Sequence, residues 1–128
     1  MTPKILVIED DVPTTRLLSV SLARRGYEVV VAENGQKALD LIENQPPSLV
    51  LLDLMLPGIS GFELLAHLKR GETTRDIPVI VVSANTQVAS KEQARELGAD
   101  LYLTKPYRLK DLVVAIQEIL GEQAPDTN

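Results

Sequence analysis

Short apolar runs and longer amphipathic stretches alternate along the whole chain. Ile5-Leu6-Val7-Ile8 is a first strand that runs into Glu9-Asp10-Asp11. A helix is expected from about Pro13, a residue that a first turn tolerates, with Leu18 and Leu22 one turn apart and Gly26 as its stop. Glu28 to Ala32 forms a second strand. Asn34-Gly35 then leads into a helix with Ala38, Leu41 and Ile42 on one face, ended by Pro46-Pro47. The third run, from Leu49, is almost wholly apolar, the pattern of a strand covered on both faces, and it ends in Asp53. Past the Pro57-Gly58 turn, Ser60-Gly61-Phe62-Glu63 fits a capping box for a helix that should bury Phe62, Leu65 and Ala66 and stop at Gly71.

The second half repeats the pattern. A polar loop from Glu72 to Asp76 precedes a fourth strand, Ile77 to Val82, with Pro78 near its start, and Ser83-Ala84-Asn85 closes it. The fourth helix, roughly Ser90 to Leu97, offers only Ala94 and Leu97 for packing, so it should be weakly held. After Gly98 a short strand, Asp100 to Leu103, leads to Thr104-Lys105-Pro106. The last helix is strongly amphipathic, with Leu109, Leu112, Val113, Ile116 and Leu120 at i, i+3, i+4, i+7 and i+11. One domain is expected over residues 1–121, with 122–128 a C-terminal tail or the start of a linker.

Five βα units predict an α/β fold, a doubly wound five-stranded parallel sheet in the order 2-1-3-4-5 with five helices, flavodoxin-like in architecture. In such a sheet the ligand crevice lies at the carboxyl ends of the strands, where the order reverses between strands one and three. Glu9, Asp10, Asp53, Ser83 and Lys105 all fall at that rim.

Composition narrows the field. With 45% hydrophobic and only 3% aromatic residues, the core must be built from Leu, Val, Ile and Ala. The net charge of −5, with no basic run longer than Arg24-Arg25, argues against direct nucleic-acid contact. There is no cysteine, so disulfides, thiolate metal sites and a cysteine nucleophile are excluded. No signal peptide or membrane-spanning run is visible, and the expected location is the cytoplasm.

An ionised carboxylate buried without a partner is costly, so Asp53 at the end of a covered strand calls for a counter-charge. Several carboxylates converging on one rim repel one another and need a cation. An all-oxygen set suits a hard divalent ion, Mg²⁺ or Mn²⁺, with Asp10 and Asp53 as direct ligands, Glu9 acting through water and the Met55 main-chain carbonyl a further candidate. Asp11 substitutes for Asp10 if the strand ends one residue later. Asp53 is the candidate nucleophile toward a phosphoryl group. Lys105 would neutralise the transferred oxygens, Ser83 would offer a hydroxyl, and a cis Lys105-Pro106 bond would aim the ammonium inward. Each residue alone has a plainer explanation, as a solvated loop acid, a turn hydroxyl or a surface lysine, and Tyr102 alone as half-buried packing. His67 is expected to face solvent.

Together, Leu6-Val7-Ile8-Glu9-Asp10-Asp11, Leu51-Leu52-Asp53-Leu54-Met55-Leu56-Pro57-Gly58, Val81-Val82-Ser83-Ala84 and Gly98-Ala99-Asp100-Leu101-Tyr102-Leu103-Thr104-Lys105-Pro106 resemble the receiver domain of bacterial response regulators over roughly residues 4 to 120. The strand order rests in part on this resemblance. The resemblance implies Mg²⁺-dependent phosphotransfer from a partner histidine kinase or phosphotransfer protein onto Asp53. Ser83 would move toward the phosphoryl group, Tyr102 would turn inward behind it, and the face of helix four, strand five and helix five would change toward a downstream effector. It implies a switch and not a turnover enzyme, acting only on its own phosphorylation and dephosphorylation. The expected state is a monomer or a weak phosphorylation-dependent dimer. Winged-helix DNA-binding regulators of this kind usually carry basic residues along the last helix and an acid beside Asp100. Here Leu101, Ala115, Gln117 and Glu122 stand instead, which points to a single-domain regulator or a larger one with another output, the alternative being the receiver of a DNA-binding transcriptional regulator.

Two enzyme-like readings and one inert one compete. A flavin-binding protein shares the architecture, but Glu9-Asp10-Asp11 would repel the flavin phosphate. An aspartyl-phosphate phosphohydrolase would need a second acid where Met55 stands. A degenerate binding scaffold would have no use for the intact set of acids and lysine.

Overall fold

The computed structural model describes residues 2–121, so the expected tail at 122–128, with Glu122, lies outside the described residues. The order of elements is β1 (Lys4–Ile8), α1 (Val12–Arg24), β2 (Glu28–Ala32), α2 (Gly35–Asn44), β3 (Leu49–Asp53), α3 (Gly61–Arg70), β4 (Val79–Ser83), α4 (Val88–Glu96), β5 (Leu101–Thr104) and α5 (Leu109–Ile119). All strand pairs are parallel and the sheet order is β2-β1-β3-β4-β5. None of the described helices is long and apolar enough to cross a membrane.

Alternation along the strands divides the interior into two layers. Leu6, Ile8, Val50, Leu52, Val79 and Val81 meet Ala38 and Ile42 of α2, Leu64, Leu65 and Leu68 of α3, and Ala94 of α4. Ile5, Val7, Leu49, Leu51, Ile80 and Val82 meet Leu18 and Leu22 of α1 and Leu112, Val113 and Ile116 of α5. Every residue of β3 and β4 is buried, as central strands covered on both faces require. α4 contributes only Ser90 and Ala94 to the buried set, which agrees with its polar sequence.

The register carries the site. Asp53 pairs with Val82 and Ser83 with Thr104, so the last residues of β3, β4 and β5 step up to one rim. β4 begins at Val79, two residues later than the apolar run suggests, because the Ile77 amide closes a turn onto the Thr74 carbonyl. It also takes in Ser83. β5 starts at Leu101, since the Asp100 carboxylate accepts from the Val79 amide (2.8 Å) and faces Lys69 Nζ (3.4 Å). α4 starts at Val88, earlier than expected, behind an Asn85 side chain that accepts from the Gln87 amide.

α3 departs from the sequence pattern in the face it buries. Leu64, Leu65 and Leu68 are its buried residues with Gly61, while Phe62 and Ala66 are only half-buried. Ser60 caps the helix, but its hydroxyl accepts from the Phe62 amide and not from Glu63. Gly61 sits so close to the chain leaving β3 that a Cβ there would lie 2.5 Å from Leu54 Cα. Its amide donates to the Leu54 carbonyl (3.3 Å), which fastens the loop after Asp53 to the start of α3. Gly61→Ala must push two backbone segments apart, and we expect it to destabilise the fold by about 1–3 kcal/mol in urea unfolding. An unchanged midpoint would show that the close approach carries no constraint.

Candidate functional site

Glu9 follows β1 directly and is 3% exposed; Asp53 ends β3 and is 4% exposed. Asp10 is exposed beside them. Each of the three offers a carboxylate oxygen, and these oxygens lie within 4.8 Å of one another. Lys105, just past β5, places Nζ 3.0 Å from Glu9 Oε1 and 2.9 Å from Asp53 Oδ2. The Lys105 backbone amide is fixed on the Ser83 carbonyl (2.8 Å), and the Lys105-Pro106 bond is cis.

The second oxygen of each buried carboxylate is held by main chain. The Asp11 amide donates to Glu9 Oε2 (3.0 Å) and the Met55 amide to Asp53 Oδ1 (2.9 Å). The β3–α3 loop thus turns around the Asp53 carboxylate, while the Met55 side chain stands 71% exposed. Asp11 itself caps α1, accepting from the Thr14 amide (3.1 Å) and hydroxyl. Asp11 is thus engaged at the helix start, and the acids that converge are Glu9, Asp10 and Asp53.

Three acids against one lysine leave the rim negative. Burial raises the pKa of Glu9; the Asp11 amide and the Lys105 ammonium pull it down without cancelling the rise, and Asp53 adds to it. For Lys105, burial opposes the charged form, but the bonds to Asp53 and Glu9 outweigh it and its pKa is raised. The stabilisation from those bonds is therefore complete below the usual lysine value and lost only as pH climbs through the raised one. Such an all-oxygen, net-negative set could hold a hard divalent cation.

Ser83 is fully buried, and its Oγ accepts from the Asn85 amide (3.1 Å). Tyr102 packs half-buried against the core layer under α4, and its hydroxyl donates to the Asn85 carbonyl (2.8 Å). The structure thus brings Glu9, Asp10, Asp53 and Lys105 to one point and links Tyr102 to Ser83 through Asn85. His67 is exposed on α3, as expected. No residue pattern marks Asn85 as that link, since it acts through its own backbone, which every residue has.

Comparison with known proteins decides the family. The response regulator receiver domain family matches residues 5–117, nearly the whole chain. This chain belongs to that family. The receiver is 43% identical over 121 residues to the phosphate regulon transcriptional regulatory protein PhoB of Pseudomonas aeruginosa, covering 94% of this chain and 53% of that protein. It is 40% identical over 118 residues to the DNA-binding dual master transcriptional regulator RpaA of Synechocystis, covering 92% and 49%. It therefore spans about half the length of the curated relatives it matches. Among solved structures, a response regulator from Chloroflexus aurantiacus superposes with a TM-score of 0.89 at 30% identity, covering 95% of this chain and all of that one. The receiver domain of the Pseudomonas aeruginosa sensor histidine kinase PA1611, solved with a magnesium ion coordinated in its active site cleft, superposes at 0.85 with 26% identity, covering 95% and 100%.

Asp11 gives a pH-dependent test of the local geometry. The Thr14 hydroxyl and amide bonds lower its pKa, so its stabilising contribution is present above the usual carboxylate value of 3.8 and fades as pH falls through the lowered one. In metal-free buffer, wild type should unfold at a higher temperature than Asp11→Asn at pH 7, and the gap should close as the pH drops below 3.8. A gap independent of pH would remove the charge from the cap's role.

Proposed function

We propose that this receiver takes a phosphoryl group onto Asp53 from a histidine kinase or histidine phosphotransfer protein and relays its presence to the α4-β5-α5 face. The observation that carries this reading is the meeting of the Lys105 ammonium with the buried carboxylates of Glu9 and Asp53 at the strand ends. A carboxylate oxygen of Asp53 attacks phosphorus; the bond to the donor imidazole nitrogen breaks, and that nitrogen keeps the electron pair. The Met55 amide orients the carboxylate through Oδ1, while Lys105 is placed to pass from Oδ2 to an oxygen of the arriving phosphoryl group. The buried Ser83 hydroxyl lies next along the rim as a donor to a second oxygen.

Glu9, Asp10 and Asp53, with the Met55 main-chain carbonyl, would hold Mg²⁺ or Mn²⁺. When bound, that ion supplies the positive charge that the transferred oxygens need. The side chain at Met55 supplies no acid or base where phosphohydrolases of the aspartyl-phosphate type carry one, so the phosphorylated state should persist as a signal. Location in the cytoplasm and a monomer or weak phosphorylation-dependent dimer fit the same reading.

For the output, the names of PhoB and RpaA favour a DNA-binding transcriptional regulator over a stand-alone receiver. The departures at Leu101, Ala115 and Gln117 argue that any such regulator does not pair its receivers through the ion pairs usual to that group.

Asp53→Asn should abolish labelling by a radioactive small acyl phosphate while leaving the far-ultraviolet circular dichroism unchanged; retained labelling would refute the assignment. Lys105→Ala should still accept phosphate but leave the amide resonances of α4, β5 and α5 close to their unphosphorylated positions. A full response from those residues in the variant would sink that role. Millimolar Mg²⁺ should raise the wild-type unfolding temperature, at 100 times its dissociation constant by the equivalent of about 2.7 kcal/mol, and leave Asp10→Asn nearly unmoved. Equal stabilisation of both proteins would place the ion elsewhere.

A further inference from the structure

Ser90 is one of the few polar residues the fold buries, at 7% exposure, and it sits in the first turn of the helix with the least apolar grip on the core. Among the described residues no buried side-chain polar atom lacks a hydrogen-bond partner, and the partner of Ser90 Oγ is Tyr102 Oη at 3.4 Å. The tyrosine has one hydroxyl proton, and the 2.8 Å bond to the Asn85 carbonyl uses it. Ser90 is therefore the donor and Tyr102 the acceptor. A continuous chain results: Ser90 of α4 donates to Tyr102 of β5, Tyr102 donates to the Asn85 carbonyl, and the Asn85 amide donates to Ser83 Oγ at the rim that holds Asp53.

We propose that Ser90 is a positioning residue for the switch, holding the Tyr102 ring in its inward seat before any phosphoryl group arrives and so predisposing the rim to accept one. This rests on the phosphoacceptor reading of Asp53. The inward seat is the one observed: the ring packs against the core layer and its hydroxyl touches the loop that follows Ser83. An apolar residue at position 90 would leave Tyr102 Oη with the Asn85 bond alone and α4 with no polar tie to β5 through this ring. A ligand that favours the inward seat would then have to supply the missing differential itself, and its apparent affinity must fall. Because α4 buries little else, the loss is not masked by a rigid helix.

The test uses Mg²⁺ with beryllofluoride as the phosphoryl mimic. Binding is followed by ¹⁹F NMR of the bound fluoride, and ring position by ¹³C-labelled tyrosine, which in this chain gives only three residues to assign. Ser90→Ala keeps or improves helix propensity, so the fold should survive. It should bind the mimic measurably more weakly, by less than about fivefold, since one net hydrogen bond shifts the seat by that factor at most and the inward seat is the dominant one at the start. Its affinity for Mg²⁺ alone should not change, and the Tyr102 signal should shift toward solvent exposure in the free protein. In a Tyr102→Phe background the same change should have no effect, since the hydroxyl that Ser90 serves is gone. Wild type that responds to the mimic together with Ser90→Ala responding at the same concentration would overturn the Ser90 proposal while sparing the phosphoacceptor reading. A loss of the same size that persists in the Tyr102→Phe background would also overturn it, by showing that Ser90 acts without the ring. Wild type that never binds the mimic would overturn both.

Discussion

One lysine bridging two buried carboxylates is the constraint around which this receiver is arranged. Glu9 and Asp53 are almost fully enclosed, and neither can stay ionised in that setting without charge or hydrogen bonds to oppose the loss of water. Lys105 Nζ serves both from one point, and the Asp11 and Met55 amides serve the remaining oxygens. The balance is incomplete, since Asp10 adds a third acid and burial still raises the pKa of Glu9. A rim so nearly but not fully neutralised is responsive. Its three acids present carboxylate oxygens within 4.8 Å of one another, and the one lysine that meets two of them carries the counter-charge of the site.

The backbone makes that arrangement available. Parallel pairing with the register Asp53–Val82 and Ser83–Thr104 brings the ends of three strands level, and the close approach of Gly61 to Leu54 keeps the loop after Asp53 from drifting. Away from the rim the sheet is covered by α4 with little apolar surface. Only Ser90 and Ala94 of that helix are buried, and the contact between Ser90 and Tyr102 is polar. The charged groups sit on the fully buried centre of the sheet, and the thinnest apolar packing lies under α4.

Much of this was legible in the residues. Covered central strands announce themselves as unbroken apolar runs, so β1, β3 and β4 could be placed and with them the acids and the serine at their ends. Boundaries slipped where a side chain or turn competes with the ladder, as with Ile77 and Asp100. The facing of α3 is not legible from hydrophobicity alone, because Phe62 looks like a core residue whereas Leu64 and Leu68 take the inward positions. That Asp11 caps α1 while Asp10 stands beside Glu9 and Asp53 is visible only in the folded chain. Nothing in the sequence pairs Ser90 with Tyr102 or makes Asn85 a link, because those contacts join residues through backbone groups and through the crossing of α4 over β5.

A crystal structure with magnesium and beryllofluoride tests the central claim most directly. One ion should be held by Asp10 and Asp53, with Glu9 on a water of that ion, the beryllium bonded to an Asp53 oxygen, and Lys105 Nζ moved onto a fluoride. Acids of the first and third strands too far apart to share an ion, or a lysine still bound to both carboxylates beside a seated mimic, would contradict it.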